Sequence, residues 1–217
     1  MIIGVCGLIG AGKDTVADYL VNVHEFRRES FANTLKDAVA AVFGWDRTLL
    51  EGRTKEARIW REQADPWWAN RLNIPHLTPR WVLQHWGTEV LRNHFHDDIW
   101  IASLENKLRK TSDDIVISDC RFPNEIRAIK NQGGLVIRVI RGQEPAWMDA
   151  ARAYMSGPST IGWAISKSML DTFNIHASEY SWTATNFDAI IDNNNSIDIL
   201  YDQVQKLVQV EEQKIEI

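Results

Sequence analysis

Glycine residues near the start of the chain are spaced to bind phosphate groups. Residues 7–13 fit the pattern G-x-x-x-x-G-K, directly after an apolar run and before a predicted helix. Glycines let the backbone turn sharply enough for its N–H groups to reach phosphate oxygens, and Lys13 adds a mobile positive charge. The spacing therefore predicts a nucleotide-phosphate site, with an ordinary strand-to-helix turn as the alternative. The candidate nucleotide-binding residues are Gly7, Gly10, Ala11, Gly12, Lys13, Asp14 and Thr15.

The residue after the lysine departs from the usual pattern, in which a serine or threonine hydroxyl binds Mg²⁺. Asp14 stands at that position and Thr15 follows it. Either Thr15 supplies the hydroxyl, or the metal is held through water and another carboxylate. Asp119 ends a second apolar run, where a metal-binding acid is expected, although it could instead cap the helix that starts near Pro123. We therefore expect Thr15 and Asp119 to hold Mg²⁺.

Arginine side chains near predicted strand ends could compensate negative charge. Arg121 lies two residues after Asp119 and could clamp a phosphate, or it could form only a surface ion pair. Arg141 follows a strand predicted over 135–140, and the carboxyl ends of parallel strands share one edge of a sheet. The catalytic candidates are therefore Lys13, Asp119 and Arg121, and Arg141 is a candidate for substrate binding.

Polar residues recur at every fourth position along a helix predicted over 79–94. Arg80, Gln84, Thr88 and Arg92 form one stripe, which could clamp an acceptor phosphate and read a base edge. A stripe of this kind is more commonly a solvated helix face, and periodicity alone favours that interpretation. Gly87 inside the helix costs about 1 kcal/mol relative to alanine, so we expect another group to approach the backbone there.

Two further segments contain candidate substrate contacts. Lys36 and Asp37 begin a helix after the second predicted strand, near the edge that carries the glycine loop. His176 and Glu179 lie within residues 142–186, a long stretch without clean periodicity that could close over phosphates as a lid. An exposed loop histidine is the alternative for His176.

Strands and helices alternate along the chain, which predicts an α/β fold with a mostly parallel sheet covered by helices on both faces. Its 217 residues fit one domain, with or without a mobile subdomain. Residues 46–65 are charged and predict a surface helix. A helix is also predicted over 161–173, and the tail over 211–217 is expected to fray.

The composition is that of an ordinary globular protein, with 45% hydrophobic and 24% charged residues. The net charge of −5 and the lack of a basic block do not favour tight, non-specific nucleic-acid binding. Cys6 and Cys120 do not form a disulfide framework and are interpreted as small residues in a reducing cytosol.

We see no signal peptide and no apolar run near the roughly 20 residues of a membrane span, so we expect a cytoplasmic protein. Most of the ten tryptophans are expected to anchor cores, and one or two could stack on a nucleobase.

The chain resembles the deoxynucleoside monophosphate kinases of bacteriophages, within the P-loop nucleoside monophosphate kinase fold. The matching segments are residues 7–15, 31–37, 84–92, 118–125 and 176–179, spread over nearly the whole chain. The first is common to many kinases, whereas DCRFPNE at 119–125 and GTE at 87–89 are much more particular. The family also has aspartate after the lysine, which accounts for Asp14.

This resemblance implies a three-layer P-loop kinase fold in a single domain. It implies a helical substrate-binding insertion over about residues 45–97 and a lid-like region over about 142–182. It further implies ATP as the donor, a deoxynucleoside monophosphate as the acceptor, Mg²⁺, and a possible homodimer, without nucleic-acid or membrane partners. For a phage protein the compartment would be the host cytoplasm.

Two other readings stay open. A kinase for another small acceptor, such as dephospho-coenzyme A, phosphomevalonate or a sugar acid, would carry the same loop. A nucleotide-dependent switch or a nucleic-acid motor would need partner surfaces or a basic channel, and the acidic net charge speaks against the motor.

Overall fold

A computed structural model describes residues 1–158 and 161–215 of the chain. The strands in these residues are β1 (Ile2–Cys6), β2 (Arg27–Glu29), β3 (Ile115–Ile117), β4 (Leu135–Ile140) and β5 (Ala189–Asp192). They form one sheet in the order β2-β3-β1-β4-β5, in which all neighbouring strands are parallel. The predicted α/β fold with a parallel sheet is therefore confirmed. The segments after β1, β3 and β4 leave the sheet at the same edge.

Helices make up most of the remaining described residues. They are α1 (Lys13–His24), α2 (Asn33–Phe43), α3 (Arg47–Glu51), α4 (Lys55–Arg61), α5 (Pro66–Leu72), α6 (Pro79–Gln84), α7 (Ile99–Leu108), α8 (Pro123–Asn131), α9 (Met148–Met155), α10 (Ile161–Thr172), α11 (Ala177–Tyr180) and α12 (Ile197–Ile215). A π-helix, His85–Arg92, follows α6 directly. Among the residues that are described, no helix has the length and apolar character needed to cross a membrane.

The first of two compact units comprises Met1–Ser30 and Thr111–Ile217 and contains the sheet. In its core, apolar residues of β1 and β4 pack with apolar residues of α1 and α12. Val16 and Leu20 of α1 are four residues apart, so both project from one helix face, and both are fully buried. This packing holds the start of α1 close to the end of β1, and the glycine loop spans the short gap between them.

The second unit, Phe31–Lys110, is helical and has its own aromatic core. The ring of Phe43 stacks on Trp45, with 4.4 Å between centroids, and also contacts Trp68. The indole N–H groups have partners as well: Trp45 donates to Asp65 at 2.8 Å and Trp68 to the Phe43 carbonyl at 3.0 Å. These tryptophans are therefore core anchors with a polar contact, as predicted.

The helix predicted over 79–94 changes type part-way along. It is α-helical to Gln84 and π-helical from His85–Arg92. Because a π-helix bonds residue i to i+5, its turns are wider than those of the α-helix predicted for this segment. The expected close approach at Gly87 is confirmed. Trp100 Nε1 donates to the Gly87 carbonyl at 2.9 Å, and a Cβ on Gly87 would lie 2.8 Å from Leu35 Cδ2.

Replacing Trp100 with phenylalanine is expected to destabilise the second unit by about 1–2 kcal/mol, because a buried hydrogen bond to Gly87 and part of a buried ring are lost. Denaturant unfolding followed by far-UV circular dichroism would measure the change. The control is Trp67→Phe, since Trp67 is 63% exposed, and its cost should stay below about 0.5 kcal/mol. Equal unfolding midpoints for the two variants would contradict the role given to Trp100.

Three predicted elements differ in detail. The surface helix over 46–65 is two helices, α3 and α4, because Gly52 adopts a left-handed φ of 66° and Thr54 caps α4 by accepting from Ala57 N. The tail does not fray at Glu211: α12 continues to Ile215, and residues 216 and 217 lie outside the described part. The predicted helix over 161–173 is confirmed as α10.

Candidate active site

The glycine loop follows β1 directly, and its first residue, Gly7, has no space for a side chain. Gly7 has a φ of 148°, and a Cβ there would lie 2.5 Å from the Val139 carbonyl oxygen of β4. Ala11 N donates to Leu8 O at 3.2 Å, which closes the turn before α1 begins at Lys13. The loop therefore ends at a helix N-terminus, whose free N–H groups and dipole attract phosphate.

Lys13 lies folded over this loop. Its Nζ donates to the carbonyls of Gly7 at 2.9 Å and Leu8 at 2.8 Å. Burial lowers the pKa of Lys13, and the positive charge of Arg121 lowers it further, while Asp14 and Glu179 act in the opposite direction. The ammonium group is thus desolvated and close to other charges, where its interaction with an anion is stronger than in water.

The Asp14 side chain faces the end of β3. Ser118 Oγ donates to Asp14 Oδ1 at 3.3 Å, and Arg28 Nη1 lies 3.7 Å from the same carboxylate oxygen. The Asp14 side chain is 81% exposed, so its carboxylate remains accessible at this edge. The position directly after the lysine therefore presents a carboxylate toward the end of β3, the strand that precedes Asp119.

Asp119 is held at the carboxyl edge of the sheet. Ser30 Oγ donates to Asp119 Oδ2 at 2.6 Å. The register explains this contact, because Glu29 of β2 pairs with Ile117 of β3, and both residues of the contact follow those strands. Asp119 thus lies at the sheet edge, as expected for a metal-binding acid, and the Ser30 hydroxyl orients its carboxylate.

The Arg121 side chain forms an ion pair with Glu179 of α11, with Nη1 2.8 Å from Oε1. Its backbone is anchored too, since the buried Glu125 carboxylate accepts from Arg121 N at 2.9 Å and Phe122 N at 3.1 Å. The charges of Arg121 and Glu179 also act on the pKa of Lys13. Arg121 and Glu179 therefore pair with each other and interact electrostatically with the lysine that lies over the glycine loop.

His176 and Arg141 have different surroundings. His176 caps α11, because its Nδ1 accepts from Ser178 N at 3.2 Å, and it remains exposed. Arg141 is exposed in the loop after β4, and the next residue, Gly142, donates its N–H to the Asn194 side chain. Their roles in substrate binding stay predictions.

The other substrate candidates belong to the second unit. Lys36 lies 2.7 Å from Glu51, and Asp37 lies 2.6 Å from Arg47. Burial acts to raise the pKa of Glu51, but hydrogen bonds from Lys36 and Arg47 outweigh it, so the pKa is lowered. These four side chains therefore form a charged network on α2 and α3, which leaves the predicted substrate role of Lys36 and Asp37 untested.

The stripe residues of the second unit are mainly at the surface. Arg80 pairs with Glu62 at 3.0 Å, with both side chains more than half exposed, and Gln84 is exposed. Arg92 is half-buried. Arg80, Gln84 and Arg92 remain predictions as substrate contacts.

Both cysteines are buried and free. Burial raises the pKa of Cys120, and its hydrogen bond with Cys6 raises it further, so this thiol stays protonated at neutral pH. The predicted role of both cysteines as small residues is consistent with these surroundings.

Oxygen donors at the sheet edge fit Mg²⁺. The hydroxyl of Ser30 and the carboxylate of Asp119 are in contact, and Asp14 adds an exposed carboxylate beside β3. Mg²⁺ prefers oxygen ligands, keeps several waters, and usually takes only one or two carboxylates besides substrate phosphates. In residues 1–158 and 161–215, no group of three or more His, Cys, Asp or Glu side chains could hold a metal alone. The oxygen donors at this edge are of the kind that Mg²⁺ binds in proteins.

Sequence reasoning missed three residues of this site. Glu125 was readable, because a helix starting at Pro123 with glutamate at its third position has the pattern of a capped N-terminus. Ser30 and Asn193 carry no such signal. Asn193 Nδ2 donates to the Ala11 carbonyl at 2.8 Å across 182 residues of sequence, and only the strand order brings them together.

Comparisons with known proteins relate the chain to a family of kinases. The family described as deoxynucleotide monophosphate kinase matches residues 67–153. A protein of Acanthamoeba polyphaga mimivirus, provisionally named a deoxynucleotide monophosphate kinase, is 32% identical over 65% of this chain and 74% of its own length. The deoxynucleoside-5'-monophosphate kinase of Escherichia phage T5 is 28% identical over 58% of this chain and 70% of its own. A dephospho-CoA kinase structure from Campylobacter jejuni aligns over 96% of this chain and 95% of its own, with a TM-score of 0.42 and 18% identity.

Proposed function

The chain belongs to the deoxynucleotide monophosphate kinase family, and from this premise we propose that it transfers the γ-phosphoryl group of ATP to a deoxynucleoside monophosphate. The products would be ADP and a deoxynucleoside diphosphate. The observation that carries the proposal is that Lys13 lies folded over a glycine loop that ends at a helix N-terminus, with the charge of Arg121 acting on it. Such an arrangement supplies several positive groups to one phosphate chain.

Each of these groups has a role in this proposal. The N–H groups of the loop and of the start of α1 bind the outer phosphates of ATP. Lys13 exchanges its contacts with the Gly7 and Leu8 carbonyls for phosphate oxygens, and it stabilises the charge on the transferred group. Arg121 compensates charge on the oxygens between donor and acceptor, and Glu179 holds its guanidinium in position. Phosphoryl transfer needs such positioning and charge compensation more than covalent help from the protein.

The Mg²⁺ ion is part of the proposal. We assign Asp119 to hold it, with Asp14 or Thr15 as the second ligand on α1, directly or through water. When bound, the ion would neutralise charge on the ATP phosphates. Asp14 is favoured over Thr15 by its contact with Ser118 at the end of β3.

The remaining assignments are those that the sequence predicts. We propose that Lys36, Asp37, Arg80, Gln84 and Arg92 of the second unit, with Arg141, His176 and Glu179 of the first, serve substrate binding. We also propose a helical insertion over about 45–97 and a lid over about 142–182 that excludes water. A cytoplasmic homodimer without nucleic-acid or membrane partners completes the proposal, and sedimentation analysis would measure the subunit number.

An ADP-release assay with a panel of acceptors tests the function. The panel contains the four deoxynucleoside monophosphates, their ribose counterparts, dephospho-coenzyme A, phosphomevalonate and gluconate. We expect turnover with one or more deoxynucleoside monophosphates and none with the last three. Hydrolysis of ATP that needs no acceptor and is stimulated by DNA would overturn the proposal in favour of a motor. Nucleotide-dependent partner binding without turnover would overturn it in favour of a switch.

Exchanging Asp119 for asparagine is expected to raise the Mg²⁺ concentration for half-maximal activity by more than about tenfold and to lower kcat about 100-fold. The amide oxygen can still accept from Ser30, so the fold should persist while the charge is lost. Mg²⁺ titrations of the kinase activity measure both effects. The control is Asp113→Asn, which removes only a surface ion pair with Arg27. An unchanged Mg²⁺ requirement in Asp119→Asn would remove this residue from the metal site.

A further inference from the structure

Asn193 makes a side-chain contact with the glycine loop that the proposed function does not use. It follows β5, and its Nδ2 donates to the backbone carbonyl of Ala11 at 2.8 Å. Ala11 is buried, so this carbonyl lies away from solvent. A buried carbonyl needs a partner, and within the part of the chain that the structure describes the Asn193 amide supplies one.

The direction of this carbonyl determines the direction of a neighbouring N–H. In a planar trans peptide, the C=O of Ala11 and the N–H of Gly12 point in opposite directions. While Asn193 holds the carbonyl, the Gly12 N–H is turned away from β5. That N–H stands directly before Lys13 and the start of α1, where phosphate-binding donors are required.

Without the contact, the Ala11–Gly12 peptide could flip at little cost in backbone strain. Gly12 has a φ of 100°, and glycine occupies positive and negative φ almost equally well. A flip would place the Ala11 carbonyl oxygen, a partial negative charge, among donors that bind phosphate. Gly12 also provides the space for the contact, since a Cβ there would lie 2.3 Å from Asn193 Nδ2.

The amide itself is firmly placed. Asn193 N donates to the Ile140 carbonyl at 2.8 Å, which continues the pairing of β5 with β4. The next residue, Asn194, accepts from Gly142 N at 2.6 Å and donates its own N–H to Asp192 at 2.9 Å. The backbone on both sides of the amide is therefore fixed by the sheet edge, so the amide can act as a rigid support.

We propose that Asn193 is a positioning residue for the donor phosphates, which locks the Ala11–Gly12 peptide with the Gly12 N–H directed into the phosphate site. The assignment rests on the proposed function only in that the loop binds the phosphates of ATP. The residue acts through the loop backbone and not by touching the reacting atoms.

Two variants separate hydrogen bonding from packing. Asn193→Ala removes the side chain, whereas Asn193→Asp keeps its shape but places a carboxylate oxygen, which cannot donate, against the Ala11 carbonyl. The control is Asn195→Ala, the same change in the same loop at an exposed residue. Calorimetric titrations of each full-length protein with ATP in the presence of Mg²⁺, and with inorganic tripolyphosphate, report phosphate affinity independently of the acceptor.

We expect both Asn193 variants to bind ATP and tripolyphosphate about tenfold more weakly, with KM for ATP raised similarly. Asn195→Ala, KM for the acceptor and the unfolding midpoints should change little, which a general loss of structure would not allow. Wild-type affinity in Asn193→Asp, or a loss confined to ATP with tripolyphosphate unaffected, would overturn the proposal. Wild-type protein that binds ATP but phosphorylates no deoxynucleotide would instead refute the proposed function, and the affinities would still test Asn193.

Discussion

Replacing Lys13 with alanine is expected to lower kcat for phosphoryl transfer about 1,000-fold. Lys13 is a desolvated cation that donates to the Gly7 and Leu8 carbonyls. In the proposed reaction its flexible stem lets the ammonium group follow the phosphate as charge develops, so we expect its contribution to be greatest in the transition state. Steady-state kinetics with ATP and the accepted deoxynucleotide would measure the loss.

The fold should survive this change. The removed contacts are two hydrogen bonds within a short loop, and the buried residues of β1 and α1 are untouched. We expect an unfolding midpoint within about 5 °C of wild type. Lys206→Ala, an exposed lysine on α12, is the matched control and should retain full activity. Near-normal turnover by Lys13→Ala would remove the glycine loop from the mechanism.

Removing the Arg121 guanidinium by substitution with alanine is expected to lower kcat about 1,000-fold, with a smaller change in KM for ATP. Arg121 is held from two directions, by Glu125 at its backbone and by Glu179 at its side chain. It is therefore oriented before substrate binds, and such preorganised charge stabilises the transition state more than the ground state.

Arg121→Lys and Arg127→Ala sharpen the test. Lysine keeps the charge but loses the planar fork, so partial recovery in Arg121→Lys would indicate that bidentate geometry contributes. Arg127 is exposed on the same helix, α8, and its replacement should leave kcat unchanged. If Arg121→Ala kept wild-type kcat, the Arg121–Glu179 pair would be only a structural ion pair, the alternative already visible in the sequence.

Short-range chemistry was predictable from sequence. The glycine loop, Asp119 and Arg121 could be located because each lies within a few residues of a buried apolar strand, and parallel strands bring their carboxyl ends to one edge. The sequence also predicted that most tryptophans anchor cores. It did not predict their individual hydrogen-bond partners, such as Asp65 for Trp45.

Helix geometry was less predictable where tertiary contacts intervene. Residues 79–94 have an α-helical period, yet the segment turns π-helical at His85, beside the place where Trp100 bonds the Gly87 carbonyl. The spacing of apolar residues predicts which face of a helix is buried. It contains no information on a contact from a distant side chain such as the Trp100 indole.

What the sequence by itself determined is the local arrangement: a glycine loop after a strand, a lysine at a helix start, and an acid and an arginine after a second strand. Tertiary structure alone decided which groups orient that arrangement. Ser30 meets Asp119 because β2 lies beside β3, and Asn193 meets Ala11 because β4 places β5 near the loop after β1. Local backbone rules act over a few residues, whereas these contacts depend on the order of strands in the sheet, which no short segment encodes.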